Sequence, residues 1–140
     1  MSIIEENKKL AWRWMDFFSA HKIEEICELV APDWEMHGGP PQLPRGATGV
    51  RELLQRIGKI NQSWTIEDTI ADGDKVVVRA TNTRVRESFF GAPAHGVAQI
   101  FTATFTHQIA GGKILVTWRN ADRLGRIVYL GGRIKPAVVS

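Results

Sequence analysis

Gly112-Lys113-Ile114-Leu115-Val116-Thr117-Trp118-Arg119-Asn120-Ala121-Asp122-Arg123-Leu124-Gly125 decides how this chain is read. A glycine turn leads into an alternating run, and the run ends at an aspartate just before the chain turns again. Alternate side chains of a strand share a face. The spacing therefore groups Val116, Trp118, Asn120 and Asp122, with Leu115, Thr117, Arg119 and Ala121 opposite. The first group offers apolar cover, an amide and a carboxylate in sequence, and it is expected to face the interior. An acid at the polar end of an apolar face suits proton transfer, because apolar surroundings raise a carboxyl pKa toward the working range. The alternative for Asp122 is a cap on the following turn or helix.

Outward from this strand, Ala110-Gly111-Gly112 reads as a hairpin turn to a strand over 96–109. Asp72-Gly73-Asp74 joins strands over 64–71 and 75–88, and the quoted run supplies a strand over 113–121. Before residue 62 the period is helical. Leu10, Trp14, Phe17 and Phe18 mark a helix over 3–18. Ile23, Ile26, Cys27 and Val30 mark another over 22–30, which Pro32-Asp33 ends. Val50, Leu53, Leu54, Ile57 and Ile60 mark a third over 48–60. Residues 34–37 form a short strand, and the glycines and prolines of 38–46 form a loop. Helices first and hairpin-linked strands afterwards predict an α+β fold: three N-terminal helices covering a curved antiparallel or mixed sheet. Sheet and helices would enclose a cone, a natural ligand pocket, in a single domain over 1–140.

Composition narrows the function. The 140 residues are 44% apolar, a globular level. No apolar run reaches the length of a membrane span, and the N-terminus lacks a signal peptide's basic-then-apolar order. The single cysteine, Cys27, excludes an internal disulfide and a cysteine-based zinc site. A cytoplasmic protein is expected. The net charge of +3 comes from scattered basic residues with no nucleic-acid motif, so no nucleic-acid or membrane partner is expected. No His-x-His or His-x-x-x-His spacing supports a metal. Five tryptophans and six phenylalanines are rich for this size, and some are expected to line a pocket for a flat or apolar ligand.

The order of several short motifs resembles a known family. These are Ala31-Pro32-Asp33, Gly46, Asp72-Gly73-Asp74-Lys75-Val76-Val77 and Phe90-Gly91-Ala92-Pro93-Ala94, followed by Gly112-Lys113-Ile114 leading to Trp118, Asp122, Leu124-Gly125 and Leu130-Gly131. Over nearly its whole length the chain is similar to the SnoaL-like polyketide cyclases of the nuclear-transport-factor-2-like and ketosteroid-isomerase-like group. The resemblance implies a cone-shaped α+β barrel, a homodimer, no metal and no organic cofactor. It implies intramolecular aldol chemistry, with an aspartate near a strand end as acid and base and a histidine helping. Asp122 matches the aspartate, and His107, on the neighbouring strand, matches the histidine. The chain departs from the family pattern at Arg119, where an acid is typical, at His95-Gly96 and at Tyr129-Leu130-Gly131.

Alternation puts His107 with Phe101 and Phe105, and Thr102, Thr104 and Thr106 opposite. Asp122 and His107 are the catalytic candidates, because enolisation needs a base in reach and a donor near the developing oxyanion. His107 or Asn120 would donate. Trp118, Asn120, Trp64, Phe101, Phe105, Trp34 and Trp14 are candidate substrate contacts, and His37 is a candidate rim residue. Glu35 and His37 share one face, Trp34 and Met36 the other. Trp64, Ile66 and Asp68 share a face, as do Val76, Val78, Ala80, Asn82 and Arg84. A homodimer is expected through the sheet face that carries Thr102, Thr104, Thr106, Thr117 and Arg119. The leading function is a cofactor-independent cyclase or isomerase acting on an apolar, polyketide-like molecule. The alternatives are an epoxide-opening or cyclic-ether-forming enzyme, which wants two carboxylates, and a non-catalytic binding module.

Overall fold

Residue patterns become elements much as the two periods require. The computed structural model describes residues 2–60, 62–85, 88–89, 92–93, 98–129 and 131. Helix α1 (Ile3–Ser19) starts at the Ser2 cap, whose hydroxyl accepts the Glu5 N–H at 3.1 Å. Its buried stripe is Asn7, Leu10, Ala11, Trp14, Met15 and Phe18. A short α2 (Ile23–Leu29) runs directly into strand β1 (Val30–His37), and α3 (Gly46–Ile57) follows. Then come β2 (Gln62–Asp72), β3 (Lys75–Val85), the two-residue strands β4 (Ser88–Phe89) and β5 (Ala92–Pro93), β6 (Ala98–Ala110) and β7 (Lys113–Ala121). A fourth helix, α4 (Arg123–Tyr129), follows; it is absent from the three-helix expectation but fits the alternative in which Asp122 caps a following turn or helix.

The main sheet has five strands in the order β1-β7-β6-β3-β2. It is mixed, because β1 lies parallel to β7 at one edge while the remaining neighbours are antiparallel. With the helices on its concave side it forms the expected curved α+β fold. Strand β1 begins four residues earlier than the spacing suggested and includes Pro32. An edge strand tolerates a proline, and here the β1–β7 register is irregular between Val30 and Glu35, where Pro32 sits. Much of the loop motif around Phe90-Gly91, with His95-Gly96 and Leu130, lies outside the described residues.

Two bulges set which side chains face the helices. In β2 the register shifts between Ile66 and Asp68, so Glu67 is an extra residue. Trp64 and Ile66 turn inward as expected, but Asp68 turns outward and pairs with Arg79 at 2.7 Å. In β7 the register runs from Ile109–Ile114 to Gln108–Val116, leaving Leu115 extra. A one-residue insertion reverses every side chain beyond it. Ile114 faces inward before the bulge; Thr117, Arg119 and Ala121 face inward after it, opposite His107, Phe105 and Ala103. The expectation for Val116, Trp118 and Asn120 is thereby corrected: they lie on the outer face, opposite Gln108, Thr106 and Thr104. The same bulge removes Thr117 and Arg119 from the outer set, while Thr102, Thr104 and Thr106 remain there.

Three strands meet at one buried hydroxyl. Trp34 of β1, fully buried, donates its Nε1–H to Thr117 Oγ1 at 3.0 Å. His107 Nδ1 of β6 lies 2.8 Å from the same oxygen. If the Thr117 hydroxyl donates to Nδ1, every polar atom of the trio but His107 Nε2 has a partner, which assigns the Nε2–H tautomer. Thr117→Val keeps the shape and strips both partners. We expect a loss of about 1–3 kcal/mol in urea unfolding, the cost of buried polar groups left unpaired. Thr102→Val on the exposed outer face should change stability by under about 0.5 kcal/mol. Equal effects from the two would show that the buried trio contributes nothing.

Candidate functional site

The inner rows of the sheet grade from apolar to cationic toward the end where β7 meets α4. At the β6–β7 turn end lie Ile109 and Ile114, then His107 and Thr117, then Phe105 and Arg119, then Ala103 and Ala121. Phe101 and Asn82 form the next cross-strand pair, and Arg84 lies beyond. The lower half is filled. Trp14 is 1% exposed, with its ring 4.9 Å from Phe18, 5.1 Å from Phe105 and 4.9 Å from His107. Trp34 and Trp14, expected to touch a ligand, are core residues there.

His107 belongs to that filled half. It is fully buried, and loss of solvation pushes its pKa from 6.5 down to about 3, so it is neutral at ordinary pH. It donates or orients as a neutral ring. Nor is it beside Asp122. Asp122 follows the Ala103–Ala121 pair, and His107 is four residues further along β6. That separation is on the order of 13 Å at the rise of a strand, beyond hydrogen-bond reach. The sequence pair is therefore not brought together.

Asp122 is exposed and leads into α4. Its Oδ1 accepts the Gly125 N–H at 2.8 Å, and its carbonyl accepts the Arg126 N–H at 3.3 Å. A Cβ on Gly125 would lie 2.1 Å from Asp122 Oδ2, so the close turn depends on glycine. Asp122 is thus an exposed helix cap at the end of β7, bonded through its N–H to the carbonyl of outward-facing Thr102, and the expectation that it faces the interior with Trp118 and Asn120 is corrected for the same reason as theirs. Asn120 is exposed on the outer face. Trp118 and His37 stack on each other there, centroids 5.9 Å apart, and His37 also meets Glu35 at 3.3 Å. None of these three lines the interior.

The upper half has a different character. Trp64 is only partly buried and meets Phe101 and Phe105 edge-on at 5.7 and 5.3 Å. Its Nε1 is buried with no hydrogen-bond partner. Arg84 and Arg126 lie 4.9 and 4.2 Å from the Phe101 ring centre. Arg84 Nε donates to Asn82 Oδ1 at 2.6 Å, and Asn82 Nδ2 donates to Gln62 Oε1 at 3.1 Å. Arg119 lies 6.0 Å from the Phe105 centre. Burial, and then the Arg123 charge, push its guanidinium down to about 10. Gly38 (φ +82°) passes so near that a Cβ would lie 1.9 Å from the Arg119 carbonyl oxygen. Arg123 ties the same loop by donating to Gly38 O at 2.7 Å. The sequence reading missed Arg119 and Arg126. A bulge hid the first, and the second lies on a helix that the sequence offered only as the alternative after an Asp122 cap.

An open cleft of about 610 Å³ lies elsewhere, between the start of α1 and the β6–β7 turn, with Ile3, Asn7, Leu10, Arg13 and Ile109 in its wall. Its size alone does not make it the site, because its side chains bring no set of convergent polar groups to an aromatic wall. The Trp64–Phe101–Phe105–Arg119 end does, and we place the candidate site there. Among the described residues no group of three or more His, Cys, Asp or Glu side chains could hold a metal ion.

The buried histidine has a measurable signature. Its folded pKa lies below its ordinary value, so between about 3 and 6.5 the unfolded chain binds the proton more readily. Stability contributed by neutral His107 is intact above pH 6.5 and is lost as pH falls. The loss should approach about 1.4 kcal/mol per pH unit for one proton. His107→Gln should flatten the decline between pH 6.5 and 5 in thermal unfolding. An unchanged pH slope in that variant would mean that His107 is not held neutral.

Comparison with known proteins agrees with this architecture. The SnoaL-like domain family matches residues 11–117. No curated protein matches the sequence significantly. Among solved structures, TsrD from Streptomyces laurentii superposes with a TM-score of 0.80 at 21% identity, covering 95% of this chain and all 100% of that one. A candidate polyketide cyclase from Bacillus cereus gives 0.73 at 28% identity, over 90% of this chain and 80% of that one. An LEH-like epoxide hydrolase from M. tuberculosis gives 0.73 at 16% identity, over 92% of each chain, a likeness of fold. With three-quarters of its length matched and the curved mixed sheet in place, the chain belongs to the SnoaL-like domain family.

Proposed function

We propose that the protein is a cofactor-independent acid–base enzyme acting on an apolar, polyketide-like small molecule, as an intramolecular aldol cyclase or an isomerase. The observation that supports the reading is the upper half of the concave face, where the partly buried Trp64 meets Phe101 and Phe105 edge-on and Arg119 stands opposite Phe105. This aromatic wall holds a flat carbon skeleton in one folded conformer, a proximity effect. Asp122 takes the proton next to a carbonyl, using the oxygen that the Gly125 cap leaves free. The kinship with a candidate polyketide cyclase supports the substrate class.

One specific observation favours a second reading, a small-molecule-binding module. Trp14 and Trp34 fill the lower half, and His107 is sealed beneath them. The epoxide-opening reading is less supported. Among the described residues the inner rows of the sheet carry no carboxylate, and Asp68 and Glu35 make their ion pairs outside.

Deuterium exchange at the α-carbon of 2-tetralone, followed by NMR, tests the acid–base reading. Wild type should accelerate exchange, and Asp122→Asn should lower it by about two to four powers of ten. Asparagine still caps a helix, so melting temperature should hold, while Asp122→Ala should lose about 0.5–2 kcal/mol. Exchange at the buffer rate in wild type, or at the wild-type rate in Asp122→Asn, sinks the enzyme reading; saturable quenching of tryptophan fluorescence would then leave the binding module.

The reading includes a homodimer through the outer sheet face. Ile70, Val77, Thr106, Trp118 and His37 form one continuous cross-sheet row there, and Ile70 is 66% exposed. Light scattering should give twice the chain mass at micromolar concentration, and Trp118→Arg should give the monomer. A monomeric wild type removes the dimer.

A further inference from the structure

Among the described residues Arg119 has no counter-charge. Among the described residues it makes no ion pair, and its Nε is buried without a hydrogen-bond partner. Its position is not an accident of a flexible side chain. Register places it directly opposite Phe105, whose side chain is fully buried on the concave face. Among the described residues the charge that acts on it is another cation, Arg123, itself tied to the Gly38 carbonyl. Arg84 and Arg126 bracket Phe101 in the same half. The neighbouring carboxylate, Asp122, is turned into its helix cap.

A largely buried guanidinium facing an aromatic wall, with more positive charge behind it, is costly to hold without an anion. Its planar fork of donors matches a carboxylate or an ionised enol better than any neutral oxygen. We propose that Arg119 binds an ionised oxygen on a planar aromatic ligand whose ring lies against the partly buried Trp64. This deepens the small-molecule reading of the same site by naming the ligand class: an aromatic acid, rather than a neutral skeleton. The partly buried Trp64 is well placed to face such a ring. In an enolising reaction the same guanidinium meets the oxygen on which negative charge develops.

The test compares matched pairs of probes by isothermal titration and by quenching of tryptophan fluorescence at low salt. The first pair is 1-naphthoate and 1-naphthamide; the second is 2-hydroxy-1,4-naphthoquinone, an ionised enol at neutral pH, and its methyl ether. Wild type should bind at least one ionised probe about ten-fold or more tighter than its neutral partner, as expected of a charge-assisted pair in a partly desolvated site. The pair that shows the larger preference identifies the source as carboxylate or enol. Arg119→Met should bring that preference within about three-fold, and Arg119→Lys, a point charge without the fork, should keep part of it. Circular dichroism checks that each variant is folded. If Arg119→Met does not fold, wild type and Arg119→Lys decide. Absence of saturable binding of either ionised probe to wild type at millimolar concentration overturns the proposal. So does equal binding of ionised and neutral partners by wild type, or an undiminished preference in a folded Arg119 variant. Asp122→Asn should retain the preference while losing α-proton exchange, so the anion site and the acid–base reading fail separately.

Discussion

The hydroxyl of Thr117 fixes the rest of the structure. It takes the indole N–H of Trp34 and meets the imidazole of His107, so β1, β7 and β6 are joined through one oxygen inside the core. A β-strand offers only two faces. Once Thr117 is committed inward, Arg119 and Ala121 must follow and Trp118 must go outside. The extra residue at Leu115 makes this compatible with an inward Ile114 at the strand's start. The composition of the concave face follows from a threonine that has to satisfy two aromatic partners.

That commitment divides the interior. Below the Phe105–Arg119 pair, the indoles of Trp14 and Trp34 leave His107 without solvent, and burial alone suppresses its protonation. Above it, partly buried Trp64 and a ring of guanidinium groups around Phe101 and Phe105 replace the aliphatic packing. The first half also holds two donors without a partner, Trp14 Nε1 and His107 Nε2, but both are sealed from solvent. In the second half Trp64 and Arg119 keep unspent donors, and unspent donors are what a ligand can use.

The fold was legible because it rests on periodicities that neighbours cannot easily override. The α1 stripe of Leu10, Trp14 and Phe18, the Asp72-Gly73-Asp74 turn and the Gly111-Gly112 turn all appear where spacing put them. Trp64, Phe101, Phe105 and the row from Val76 to Arg84 also point inward as alternation required. What the sequence concealed was a count of one. Nothing in Ile114-Leu115-Val116 marks Leu115 as a bulge, and that residue exchanged Trp118 and Asn120 for Thr117 and Arg119 on the concave face. Glu67 did the same for Asp68. Helix α4 was legible only as the alternative in which Asp122 caps a following turn or helix. Its seven residues carry little helical period, and its start is set by the Asp122 cap.

The parallel β1–β7 edge has a consequence in time. Glu35 lies beside Val116 and Trp34 reaches Thr117, so among the described residues the first strand made by the chain finds its only sheet neighbour in the last. A contact of such sequence separation must close most of the chain into a loop before it returns any energy. During synthesis β1 therefore waits, with Trp34 unsatisfied, until β7 has emerged. The hairpins of β2 with β3 and of β6 with β7 pair locally and need no such delay. The edge that the Thr117 hydroxyl secures is in this sense a late seam.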